Sequence, residues 1–229
     1  MKKIILLLSL LLPVQSFAMG DDAIFHSGMI DVDYESVDSQ NVSTWDGSFW
    51  IGGDYDKLVF RARGERTASR FDHNELQLMW SHYIDPFWDV RAGFRHDWKP
   101  AKRNEAILAL SGLAPYYIDT NLAVYIDRRG NMRGEIELAY DLQLTQQIVA
   151  ELYIDSEWHG FTDSVQNLGT GISQYDAGIK LRYEFNRHVA VYLDLYTHQT
   201  IGQTRALLRA AGERTSQNGL RSGIRIFNF

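Results

Sequence analysis

The sequence predicts an all-β chain, a transmembrane antiparallel outer-membrane β-barrel of twelve strands, with ten as the alternative count. Three observations lead there. From about residue 27 onward the hydrophobic period is two, as in Tyr175, Ala177, Ile179, Leu181, Tyr183 and Phe185 alternating with Asp176, Lys180, Arg182 and Glu184. The alternating segments run to roughly ten to thirteen residues, longer than the five or six usual in soluble sheets. Tight turns also take turns with longer polar links along the chain, the loop pattern of a barrel whose closure removes exposed edges. Alternation alone would also suit a soluble sandwich with its charges in water. Strand length, aromatic placement and loop order favour the inverted arrangement, with apolar side chains toward lipid and charges toward the lumen.

Composition narrows the field further. The 229 residues include no Cys, which removes disulfide frameworks, thiolate metal sites and lipid attachment through cysteine. A net charge of −6 without basic runs argues against a nucleic-acid partner. Mean hydropathy is −0.27, and after the N-terminus no apolar stretch approaches the roughly 20 residues of a spanning helix. Aromatics reach 13%, with 12 Tyr and 6 Trp. Two interfacial girdles account for that excess, and Trp88 and Trp98 stand at opposite ends of one strand on its apolar face.

The elements follow in order. Met1-Lys2-Lys3, the apolar run Ile4 to Leu12 and Ser16-Phe17-Ala18 make residues 1–18 an export signal, cleaved after Ala18. Residues 19–26 form a short periplasmic segment, and the barrel occupies 27–229. Its strands are expected at 27–38, 43–54, 57–66, 71–84, 87–98, 104–112, 115–127, 131–143, 146–157, 173–185, 187–199 and 216–229. Without 27–38 and 104–112 the count falls to ten. Turns are expected at Asp54-Tyr55-Asp56, Asp85-Pro86, Leu113-Ala114-Pro115, Leu144-Thr145-Gln146 and Asn186-Arg187. Longer external links fall near 38–43, 66–72, 98–104, 127–131, 157–173 and 199–216, and both termini are periplasmic.

The charged face would line the lumen. Its acids include Glu35, Asp46, Glu65, Glu75, Asp97, Glu135, Glu137, Glu151, Asp155, Asp176 and Asp194; its bases include Arg61, Arg63, Arg95, Arg133, Lys180, Arg182, Arg221 and Arg225. Acids exceed bases, so a wet lumen would favour cations, whereas complete pairing would only stiffen a narrow barrel. His159, Asp163 and Ser164 share one link and contain the residue types of a hydrolase. No supporting pattern surrounds them, and the chain is expected not to be an enzyme.

Several ordered blocks resemble the bacterial copper resistance protein B family. They include Trp45-Asp46-Gly47-Ser48-Phe49-Trp50-Ile51-Gly52-Gly53-Asp54, Gly64-Glu65-Arg66, Pro86-Phe87-Trp88-Asp89, Gly93-Phe94-Arg95-His96-Asp97 and Lys180-Leu181-Arg182-Tyr183-Glu184. The resemblance runs in order from about residue 24 to the C-terminus. It implies an outer-membrane barrel of a Gram-negative bacterium that contributes to copper resistance, with copper ion bound or passed and a periplasmic multicopper oxidase as partner. Many family members carry a Met- and His-rich segment before the barrel; here only Met19, His26 and Met29 precede the first strong strand. Copper takes imidazole, carboxylate and thioether ligands. The metal candidates are therefore His26 with Met29, and His73 with Met79 on one inward face. His198 points inward, while His82 and His96 fall on the apolar face. The other reading is a general structural or diffusion barrel without a metal site.

Overall fold

Residues 23–37, 40–67, 70–162 and 167–227 are described by the structure, a computed structural model. The expected export signal, Met19, the pair Asp163 and Ser164, and the terminal Asn228-Phe229 lie outside the described residues. Twelve strands follow one another: β1 (Phe25–Val37), β2 (Gln40–Gly52), β3 (Asp56–Thr67), β4 (Arg70–Asp85), β5 (Trp88–Lys99), β6 (Arg103–Ala114), β7 (Ile118–Asp127), β8 (Met132–Gln143), β9 (Ile148–His159), β10 (Gly171–Glu184), β11 (Val189–Thr200) and β12 (Ser216–Phe227). Every strand pairs antiparallel with its sequence neighbours. β1 closes onto β12, from Met29 opposite Phe227 to Tyr34 opposite Ser222. The expected fold is therefore present, with twelve strands rather than ten.

The differences are local. The links expected at 38–43 and 66–72 are shorter, because β2 begins at Gln40 and β3 runs to Thr67. Gln40, Asn41 and Val42 continue the β1 ladder opposite Val37, Ser36 and Glu35, so polar residues there extend a strand instead of forming a loop. β7 starts at Ile118 and not at 115, because Pro115 opens a short 3-10 turn with Tyr116 and Tyr117 at positive φ. The link 199–216 contains a helix, α1 (Gly202–Ala210), that the strand-dominated periodicity did not reveal. The bonds Gly169 N to Thr204 Oγ1, 2.9 Å, and Thr170 N to Gln203 Oε1, 3.0 Å, tie the β9–β10 link to it.

The two faces separate by polarity. Outward positions are apolar and exposed, such as Leu108, Leu181, Leu195 and Ile224. Aromatic residues mark both ends of this band: Trp45 packs edge-on against Phe71 at 6.0 Å, with Trp98 and Trp158 at the same end. The stacked pair Trp80 and His82 lies toward the other end. No helix among the described residues is long and apolar enough to cross a membrane; the crossing is made by strands. On the inside, Tyr192 lies over Gly223 and Tyr196 over Gly219, where an added Cβ would meet the rings at 2.4 and 2.7 Å. Glycine there lets a large ring lie flat against the wall.

Candidate functional site in the barrel lumen

Inward positions enclose a cavity of about 1140 Å3, lined mainly by charged and polar side chains. A second cavity of about 650 Å3 opens beside it at the end carrying the long links, and Arg63, His73, Glu135 and Glu157 line both. The inward acids expected from alternation are in place. Asp31, Asp33, Glu105 and Glu157 also face inward and belong with them. Their signal was present in the sequence: Asp31 and Asp33 alternate with Ile30, Val32 and Tyr34, in phase with Glu35.

Arginines organise the interior. Arg61 donates to Glu137 at 2.7 and 2.8 Å and to Asp46 at 3.0 Å. Arg63 donates to Glu135 at 2.5 Å and to Glu137 at 2.7 Å. β3 and β8 are separated along the wall by β4 to β7, so these bonds span the lumen. On the β4–β7 side of this strut, Arg95 pairs with Glu75 and Asp97, and Arg133 with Glu105. Tyr125 donates to Glu135 at 2.6 Å, with the Arg95 and Arg133 guanidinium groups 5.0 and 4.7 Å from its ring. Val59, Met79, Ile107, Ala109 and Ala123 pack with it. At that height the side chains pack together; Met79, Ile107, Ala109 and Ala123 also border the larger cavity, and Glu75, Arg95, Asp97 and Arg133 the smaller.

On the other side, Arg225 joins Asp31 at 2.7 Å to Glu151 at 2.6 Å, and Arg182 joins Glu151 to Asp141. A row of inward side chains crosses β8 to β11. Glu137 stands opposite Asp155, Asp155 opposite Asp176, and Asp176 opposite His198. His198 Nδ1 lies 3.0 Å from Asp176. Asp155 and its neighbour Glu157 line the main cavity and make no ion pair among the described residues. Like charges on directly opposed strands repel, and unpaired carboxylates at a lumen wall require water or a cation. This wall therefore carries negative potential into the cavity.

The candidate ligands occupy separate places. His26 and Met29 sit on opposite faces of β1: Met29 lines the cavity, while His26 is exposed with its ring 6.4 Å from Phe49. His73 and Met79 share the inward face of β4 but stand six residues apart, roughly 20 Å along an extended strand. His73 Nε2 lies 2.9 Å from Glu75, whereas Met79 is buried in the apolar cluster. Neither pair is brought within reach of one ion. His82 and His96 lie outward beside Trp80 and Trp98, as alternation implied. His159 is buried against Ser173 at 3.1 Å. Among the described residues, no group of three or more His, Cys, Asp or Glu is arranged to hold a metal.

An apolar exterior, a closed twelve-stranded wall and a charged lumen define an outer-membrane β-barrel protein. The fold is similar to that of NanC porin, with a TM-score of 0.59 and 11% identity over 87% of this chain and 98% of that one. KdgM porin matches with a TM-score of 0.52 and 12% identity over 86% of this chain and 98% of that one. Residues 25–228 match the family described as Copper resistance protein B precursor (CopB), to which the chain belongs. Its relatives include copper resistance protein B of Escherichia coli, 29% identical over 93% of this chain and 73% of that protein. The copper resistance protein B homolog of Pseudomonas syringae pv. tomato is 32% identical over 86% of this chain and 67% of that protein.

Proposed function

We propose that this barrel contributes to copper resistance by admitting copper ions from one side of a Gram-negative outer membrane into its lumen. The observation that carries this reading is the acidic wall, where Asp155 and Glu157 lack cationic partners while most other inward carboxylates are paired. Copper is the cargo. It meets donors singly: His73 at the junction of the two cavities, His198 on the acidic row, and Met29 and Met79 deeper inside. Single donors at separate depths suit passage or weak binding better than a tight chelate, since a conducted ion must leave each site. His26, on the outward face, stands outside this route and is the control position. A periplasmic multicopper oxidase fits as the partner at the inner end.

The test uses a deletion strain complemented with the wild type, Asp155→Asn with Asp176→Asn, His73→Ala with Met79→Ala, or His26→Ala. The wild type and His26→Ala are expected to restore copper tolerance, and the other two to restore only part of it. In planar bilayers the wild type is expected to prefer cations, and the Asp155→Asn, Asp176→Asn double variant to lose most of that preference. Full tolerance from both lumen variants would overturn the reading in favour of a general diffusion or structural barrel.

A further inference from the structure

The two rims of the barrel differ in charge. At the end carrying α1 and the long β9–β10 link, the β3–β4, β5–β6 and β7–β8 hairpins expose Arg66, Lys99, Lys102, Arg128 and Arg129. These three hairpins are neighbours around the wall, so the five cations form one arc. None of them makes an ion pair among the described residues. At this end of the three hairpins no described carboxylate is exposed, and the rim's exposed Glu213, which follows α1, accepts from Asn167 Nδ2. Asp97 and Glu105 are buried within the lumen network, and Glu65 and Asp72 are half-buried. Asp127 accepts from the Arg129 and Asn131 amides and from Asn131 Nδ2, so its oxygens serve the turn. At the opposite rim, beside both ends of the barrel-forming chain, the short turns after β2 and β4 expose Asp54, Asp56 and Asp85, and Arg187 is exposed in the β10–β11 turn.

Long links face the outside of an outer membrane and short turns the periplasm, so the cationic arc is external. Its height is fixed by the aromatic belt. Trp45 and Phe71 are in edge-on contact on the outward surface, and the guanidinium of Arg66 sits 5.6 Å from the Phe71 ring. Such belts lie at the level of the headgroups. An outward-facing arginine at that belt, with lysines and arginines just beyond it, therefore meets the phosphates of the surrounding leaflet. Arginine binds phosphate through paired N–H donors, and unpaired surface cations gain most from a fixed anionic layer.

We propose that this arc is a docking surface for the phosphorylated glycolipid of the outer leaflet, which Arg66, Lys102, Arg128 and Arg129 hold through its glucosamine phosphates. The proposal needs only the barrel's place in the outer membrane and is independent of the copper reading. The purified barrel is assayed in detergent with three probes: diphosphorylated lipid A, the same lipid with both phosphates removed, and sodium phosphate. The variants are Arg66→Gln with Lys102→Gln, Arg128→Gln and Arg129→Gln; Arg128→Gln with Arg129→Gln alone; and the control Asp54→Asn with Asp85→Asn. The quadruple variant is expected to bind diphosphorylated lipid A about tenfold or more weakly, and the turn pair to fall between it and the wild type. The control should match the wild type, and removal of the phosphates should weaken wild-type binding by a similar factor. Heat-modifiable migration checks that each variant is folded, and the turn pair, with no strand position changed, carries the test if the quadruple variant is not. Equal binding by wild type and turn pair, or equal binding of both lipids, would overturn the proposal. So would complete displacement of the lipid by sodium phosphate at about 10 mM, which would mark a free-anion site.

Discussion

At Lys180 and Leu181, adjacent side chains of β10 enter opposite media. Lys180 Nζ reaches Asp31 at 3.3 Å inside the barrel, while Leu181 is 47% exposed on the lipid side. A charge introduced on the lipid side near mid-strand has no partner and no water. Leu181→Arg is expected to cost about 2–4 kcal/mol, measured by urea unfolding in phospholipid vesicles, whereas Leu181→Met should be close to neutral. Equal stability of the two would mean that this face does not meet lipid. Which face each residue takes was legible from the sequence wherever alternation persists. It also explains Gly223 and Arg225, which interrupt the apolar pattern of the last strand. Both point inward, Gly223 beneath Tyr192 and Arg225 between Asp31 and Glu151. The separation of His26 from Met29 follows from the same parity, since three residues along a strand reverse the face.

Between elements, the strut from β3 to β8 gives the interior its division. Arg61 and Arg63 share Glu137, and Arg63 also holds Glu135. Glu137→Gln alone leaves Arg61 on Asp46 and Arg63 on Glu135, so its cost should be small. Glu135→Gln with Glu137→Gln leaves Arg63 only the 3.6 Å approaches to Asp46 and Glu75. That double variant is expected to lose about 3 kcal/mol in the same unfolding measurement, as for other buried cations stripped of partners. A double-variant cost no larger than the single one would show that water already shields these arginines. No sequence signal announces the strut. β3 and β8 are not neighbours, and alternation says only that their charges face inward. Nor is α1 legible: nine residues give about two and a half turns of helical period, too short to hold alone in water. The bonds of Thr204 and Gln203 to the β9–β10 link complete it.

Across the whole molecule, closure of β1 onto β12 satisfies the backbone groups that an open sheet would leave to lipid. The folded barrel should therefore resist dodecyl sulfate at room temperature and migrate differently after boiling. Identical migration of boiled and unboiled protein refolded in detergent would contradict the closed form. Closure also limits the bore: twelve strands make a passage narrower than that of 16–18-stranded porins, and the cluster of Tyr125, Met79 and Ile107 narrows it further on the β4–β7 side. The barrel class, the approximate strand positions and the two faces of each strand were determined by the sequence alone, because an extended chain has a side-chain period of two and a membrane tolerates only the apolar face outside. What only the tertiary structure decided is which inward residues meet. Barrel curvature carries Arg61 and Arg63 across to Glu135 and Glu137, divides the lumen, and leaves Asp155 and Glu157 facing open space. It also holds His73 and Met79, alike in face, roughly 20 Å apart, because a strand has no turn that could fold its own residues back onto one ion.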